Sequence, residues 1–187
     1  IVEKTAENVF IPLTVGGGIN SVEDIRNLLK AGADKISINT AAILNEELIR
    51  ESSQKFGSQC IVAAVDAKKI KDEWIVYSHG GTKNTGINAL TWIEKLQKLG
   101  AGEILLTSMD KDGTKDGFDL DLLKKTTELL DIPVIASGGV GKLKHFEEGL
   151  SIGHASALLA ASVFHFNEFS ILDVKRFLKQ KNIAVRE

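Results

Sequence analysis

Short apolar runs alternate with longer amphipathic stretches along this chain. The short runs predict strands over residues 12–16, 35–39, 61–66, 103–108, 134–137 and 157–161, each followed by a turn and a helical pattern. Ser21-Val-Glu-Asp24 reads as a capping box that opens a helix whose apolar stripe is Val22, Ile25, Leu28 and Leu29. Asn45, ahead of Glu46 and Glu47, reads as an N-cap with acids in the first turn. Leu90, Ile93, Leu96 and Leu99 form a further stripe that Gly100 ends, and residues 120–130 and 172–178 supply two more helices. Strands alternating with helices predict βα units on a parallel sheet, in one domain. Residues 67–85 break the pattern: they are polar, contain Trp74-Ile-Val-Tyr77 and Gly80-Gly-Thr-Lys-Asn-Thr-Gly86, and read as a hairpin or lid over the strand ends.

The chain also repeats itself. Thr14-Val-Gly-Gly-Gly-Ile19 matches Ile135-Ala-Ser-Gly-Gly-Val140, and the segment starting at Ala31 matches the one starting at Ile152, an offset of about 121 residues. Four strand–helix units fit that interval, and a doubled set of four is the eight-unit count that closes a (βα)₈ TIM barrel. Six units are visible, so they read as the third to eighth, with about two units, roughly 60 residues, expected upstream of Ile1. The expectation is a single TIM-barrel domain over residues 1–187 lacking its first two units. An open flavodoxin-like sheet competes, but it would not need a second copy of the glycine turn.

Composition narrows the function classes. A net charge of −2 gives no electrostatic case for nucleic acid or an anionic membrane surface. No apolar run approaches the 18 residues of a spanning helix. The one cysteine, Cys60, excludes an internal disulfide and fits a reducing, cytoplasmic setting; its apolar neighbours make it buried strand filler. His79, His145, His154 and His165 have no ligand-like spacing, so they read as surface or satisfied core residues, and neither a metal nor a cofactor is expected.

In a barrel the strand C-termini form the active face. Gly16-Gly-Gly18, Asp112-Gly113 and Gly138-Gly139 are glycine turns at those ends, where backbone N–H groups can approach an anion with no Cβ in the way. Asn39-Thr40 and Ala161-Ser162 end the neighbouring strands, so two phosphate cradles are expected on opposite sides of the mouth. Asp66 shares inward parity with Val62 and Ala64 and is placed between the cradles as the candidate acid–base residue. Thr107 and Ser137, with Ser108 and Asp110, add polar groups at other strand ends. Lys35 and Glu103 start their strands with inward parity at the opposite pole. They could form a structural ion pair that caps the core, or they could gate a passage.

These strings, together with Ala33-Asp-Lys-Ile-Ser-Ile-Asn-Thr-Ala-Ala42, Val65-Asp-Ala-Lys68, Lys83-Asn-Thr-Gly86, Gly102-Glu-Ile-Leu-Leu-Thr-Ser108, Asp110-Lys-Asp-Gly-Thr114 and Ala160-Ala-Ser-Val-Phe-His-Phe166, closely resemble the cyclase subunit of imidazole glycerol phosphate synthase over essentially the whole chain. The resemblance implies a half-barrel-repeat TIM barrel that takes ammonia from a glutaminase partner. It also implies a ribulosyl aminoimidazole-carboxamide nucleotide with two phosphates as substrate, converted to imidazole glycerol phosphate and an aminoimidazole carboxamide ribotide. It makes Asp66 one of two catalytic aspartates. Gly18, Asn39 and Thr40 match one phosphate site; Asp112, Gly113, Gly139, Ala161 and Ser162 match the other. Lys35 and Glu103 match two members of a four-charge ammonia gate. The second aspartate and the other gate charges belong to the two units expected upstream, so a protein truly starting at Ile1 is expected to be inactive. A sister isomerase, a cyclase-like sugar amidotransferase barrel and a non-catalytic phosphate-binding partial barrel are the rival expectations. Lys83-Asn-Thr-Gly86 and Ser37-Ile-Asn-Thr40 favour the cyclase.

Overall fold

Alternation along each strand divides its side chains between two environments, and the elements assemble accordingly. In the computed structural model, which describes residues 1–186, the chain runs through α1 (Val2–Ala6), β1 (Thr14–Gly16), α2 (Val22–Lys30), β2 (Lys35–Ile38), α3 (Thr40–Leu44) and α4 (Glu47–Phe56). A 3₁₀ turn (Ser58–Cys60) leads to β3 (Ile61–Ile70), β4 (Glu73–Ser78), β5 (Lys83–Asn88), α5 (Ala89–Leu99) and β6 (Glu103–Ser108). α6 (Leu120–Leu129), β7 (Val134–Ser137), α7 (Leu143–Ser151), β8 (Ala157–Leu158), α8 (Ser162–His165) and α9 (Ile171–Gln180) complete it. The parallel strands lie in the order β1-β2-β3-β6-β7-β8 and curl into part of a (βα)₈ barrel, with β1 and β8 at its edges. β3 runs on past the sheet and carries the β4–β5 hairpin in antiparallel pairing.

Residues of one parity face the helices. Ile36, Ile38, Ile61, Ala63, Val65, Ile104, Leu106, Val134 and Ala136 are buried there against Ile25, Ile49, Ile93, Leu96 and Leu122. Each fully buried Ile or Leu contributes about 1.5–3 kcal/mol relative to exposure. The opposite parity is less covered: Lys35, Ser37, Ala64, Leu105 and Ile135 line the concave face and are half-buried. The core therefore sits between sheet and helices, and the concave side is left for polar chemistry.

Helix ends follow local rules. The Ser21 capping box forms: Asp24 N–H donates to Ser21 Oγ at 3.1 Å, and Ser21 N–H donates to Asp24 Oδ2 at 2.9 Å. Gly100 ends α5 in the left-handed region (φ 104°), where a Cβ would meet Ser53 Oγ at 2.4 Å. Asn45 does not cap α4, which starts from Glu46 without a side-chain cap. Asn45 closes α3 instead, its N–H donating to Ala41 O at 2.9 Å. Cys60 ends the 3₁₀ turn, half-buried, so it precedes the strand it was expected to fill. The strands expected over 35–39 and 157–161 stop early because Asn39 (φ −119°, ψ −91°) and Ala161 (φ −113°, ψ −68°) turn the chain into the short helices α3 and α8.

The repeat extends to the backbone. Gly17 and Gly18 (φ 95° and 70°) correspond to Gly138 and Gly139 (φ 94° and 102°), at the 121-residue offset. At the next junction the offset becomes 122, from Asn39 to Ala161, so one residue is gained between the two landmarks.

Candidate active site

The ends of β1 and β2 build a first hollow of about 560 Å³, lined by Gly16–Asn20, residues 37–41, Leu44, Ala64, His79 and Gly80. Gly18, Asn39 and Thr40 come together here. A Cβ on Gly17 or Gly18 would meet nothing within 4 Å, so glycine serves the positive φ at those positions and leaves the backbone open to the hollow. The hairpin reaches this hollow: His79 N–H donates to Thr40 Oγ1 at 2.8 Å.

The ends of β7 and β8, with the β6–α6 loop, build a second hollow of about 170 Å³. Asp112, Gly113, Ser137, Gly139, Ala161 and Ser162 all line it, and so does Lys115, which pairs with Glu168. The glycines here have a different reason. A Cβ on Gly138 would sit 2.8 Å from Ser108 O, and one on Gly139 only 2.1 Å from Gly117 O. Gly117 N–H donates to Gly139 O at 2.7 Å, so the β6–α6 loop nests directly on the glycine turn and shapes the hollow in advance.

Asp66 lies between the hollows. β3 pairs Asp66 with Thr107 of β6, and β6 pairs Thr107 with Ser137 of β7, so the three residues form one row across the concave face. Asn39 Nδ2 donates to Asp66 Oδ2 at 2.9 Å, while Asn39 Oδ1 is buried without a partner among the described residues. Burial pushes the Asp66 carboxyl above its ordinary range; the Asn39 hydrogen bond opposes this, and the negative charge of Asp112 adds to it. Such a carboxyl is suited to holding a proton and passing it to a bound ligand. Asp110 is occupied elsewhere: its Oδ2 accepts from Lys69 N–H at 2.7 Å, fixing the hairpin's base. Ser108 is buried and faces the helix side, where its hydroxyl meets Asp119 Oδ2 at 3.3 Å.

At the opposite end of the concave face Lys35 Nζ pairs with Glu103 Oε1 across β3, whose buried Val62 is in register with Glu103. Both side chains are partly buried. Among the histidines, His145 is buried and accepts from Gly141 N–H at 3.1 Å, while His154 and His165 are exposed. His79 is exposed but lines the first hollow, and Lys115 lines the second; sequence reading gave neither a role in the site. Their signal was positional. His79 adjoins the glycines at the tip of a hairpin already expected to lean over the site, and Lys115 directly follows the Asp110–Thr114 string. Among the described residues no three His, Cys, Asp or Glu side chains gather as a metal site would need, and no helix is long and apolar enough to cross a membrane.

Comparison with known proteins gives one family match. The family described as histidine biosynthesis protein matches residues 1–170, which takes in both hollows, Asp66 and the Lys35–Glu103 pair.

Proposed function

This chain belongs to the histidine biosynthesis protein family, and from that premise we propose that it is the cyclase subunit of imidazole glycerol phosphate synthase. In this reading the two hollows hold the two phosphates of the ribulosyl aminoimidazole-carboxamide nucleotide. Gly18, Asn39 and Thr40 serve one end; Asp112, Gly113, Gly139, Ala161 and Ser162 serve the other. Asp66, its carboxyl raised by burial, exchanges protons with the substrate between them. Thr107 and Ser137, in register beside Asp66, orient the chain of the substrate that crosses the row.

The observation that carries the cyclase over its isomerase sister is the Lys35–Glu103 pair. A charged pair on the concave face is an awkward way to fill a barrel floor, because taking both charges from water has a cost that an apolar pair would avoid. Ammonia entering from a glutaminase partner at that pole gives the pair a use, and an isomerisation without ammonia does not.

The test is a comparison of two reactions on the whole protein. Supplied with the bis-phosphorylated nucleotide and an ammonium salt, the cyclase releases imidazole glycerol phosphate and the aminoimidazole carboxamide ribotide. Turnover of the isomerase's substrate without ammonia would replace this reading with the sister activity. Phosphate binding with neither turnover would replace it with a binding role.

A further inference from the structure

The first hollow is poor in charge. Among the described residues, none of the side chains that line it is a Lys, Arg, Asp or Glu. The second hollow has Lys115. A phosphate dianion held only by neutral donors has no opposite charge beside it to offset its own. One lining side chain of the first hollow can carry positive charge, and that is His79.

His79 is fixed in place although it is exposed. Its backbone is left-handed (φ 53°), a conformation that costs a non-glycine residue free energy and persists where neighbours enforce it. Three bonds do so. Its N–H donates to Thr40 Oγ1 at 2.8 Å, its carbonyl accepts from Thr82 Oγ1 at 2.8 Å, and its Nδ1 lies 2.9 Å from the hydroxyl of buried Ser78. Among the described residues Nε2 is the polar atom left without a partner. When Nδ1 accepts from Ser78, the neutral ring carries its proton on Nε2; when the ring is charged, both nitrogens are donors. Nε2 is therefore a donor in the charged ring, and also in the neutral ring whose Nδ1 accepts from Ser78.

We propose that His79 is a ligand-binding residue of the first hollow, giving a hydrogen bond and a positive charge to the phosphate held there, so that each hollow has one basic side chain, His79 in the first and Lys115 in the second. This rests on reading the first hollow as a phosphate site, and not on which family reaction the protein performs. The hairpin then does more than cover the site: it delivers the cation, and its contact with Thr40 ties that cation to β2's end.

The experiment is a titration of the whole protein with inorganic phosphate, followed by NMR of the backbone amides and of ¹⁵N-labelled histidine rings. The expected result is that the His79 ring signals move with the same midpoint as the Gly18 amide, while those of His154, between α7 and β8 at the opposite ends of the strands, stay still. His79→Asn is the variant of choice, because Asn tolerates the left-handed backbone yet cannot be charged. It should weaken phosphate binding at Gly18 by roughly tenfold, the lower end for a hydrogen bond between charged groups, and His79→Lys should recover part of the loss. An unchanged midpoint in His79→Asn, with its other amides in their native positions, would overturn the assignment. Failure of the Gly18 amide to respond at all would remove the phosphate site itself, and the proposal with it.

Discussion

The two glycine turns make the same bend for different reasons, so the same substitution should have unequal effects. In Gly18→Ala the new methyl enters open space, and only the positive φ of 70° opposes it. That strain is about 1 kcal/mol for an L residue in the left-handed region. In Gly139→Ala the φ of 102° is less favourable still, and the methyl would lie 2.1 Å from Gly117 O and 3.0 Å from Lys111 Cβ. The obstacle is backbone, so it cannot rotate away; the β6–α6 loop must lift, and the Gly117–Gly139 bond of 2.7 Å breaks. Strain of about 2 kcal/mol and a lost hydrogen bond of about 1 kcal/mol give a total near 3 kcal/mol. The gap between the variants is therefore about 2 kcal/mol, a large part of the 5–15 kcal/mol that holds a typical domain. Urea unfolding followed by fluorescence of the buried Trp74 and Trp92 measures it directly. Equal midpoints for the two variants, or a lower one for Gly18→Ala, would refute the claim that the second hollow is built by loop packing and the first is not.

Other perturbations probe the remaining parts. Asp66→Asn should remove turnover by roughly 10²–10⁴-fold, the usual contribution of a proton-transfer group, while raising stability at neutral pH. Because folding raises the Asp66 pKa, the ionised carboxylate opposes the fold most fully above that raised value, and the gain should fade as pH falls through the raised value and be gone below the ordinary 3.8; a gain that instead grows in acid would reverse the sign. Lys35→Leu should impair glutamine-driven cyclisation more than cyclisation with added ammonium, and equal losses in both assays would make the Lys35–Glu103 pair merely structural. Trp74→Phe removes the donor that meets Asp119 Oδ2 at 3.0 Å but leaves Asp119 its bonds to Ser108 and to Leu122 N–H. Its unfolding free energy should fall by about 1 kcal/mol, with phosphate binding unchanged in a calorimetric titration.

The order of the elements was legible because each strand of the sheet has one face under helices and so keeps an unbroken apolar parity. β6 and β7 match the predicted limits for that reason. The edges of the sheet were harder. β1 and β8, each with one neighbour, are three and two residues long: β1 starts two residues later than expected, at Thr14, and β8 stops three residues early, ahead of a turn at Ala161 that has no signature in residue type. The inward parity of Asp66, Lys35 and Glu103 was readable from strand alternation alone. What alternation cannot give is contact between residues far apart in sequence. The bond between Asn39 and Asp66, the nesting of Gly117 on Gly139, and the arrival of His79 at Thr40 depend on how loops fold back over strand ends. Gly138 and Gly139 illustrate the limit: sequence suggested an open approach for an anion, while the space beside them is filled by the β6–α6 loop.

The spacing of the hollows restricts what can bridge them. The path from β2 to β7 crosses β3 and β6, three strand-to-strand steps of about 4.8 Å, or about 14 Å along the sheet and somewhat less across the curl. Phosphates on neighbouring carbons cannot reach both hollows at once, whereas phosphates at the ends of two joined sugars can. The middle of such a ligand falls over β3 and β6, where Asp66 and Thr107 stand side by side. On the cyclase reading this geometry also accounts for release. An intact substrate is gripped at both ends, and the second grip acts at high effective concentration once the first is made. Cleavage at the middle leaves each product with one phosphate and one hollow, so the advantage of linkage disappears at the moment of reaction. Each product should then bind far more weakly than the substrate, and removing the basic side chain of one hollow should weaken only the product held there.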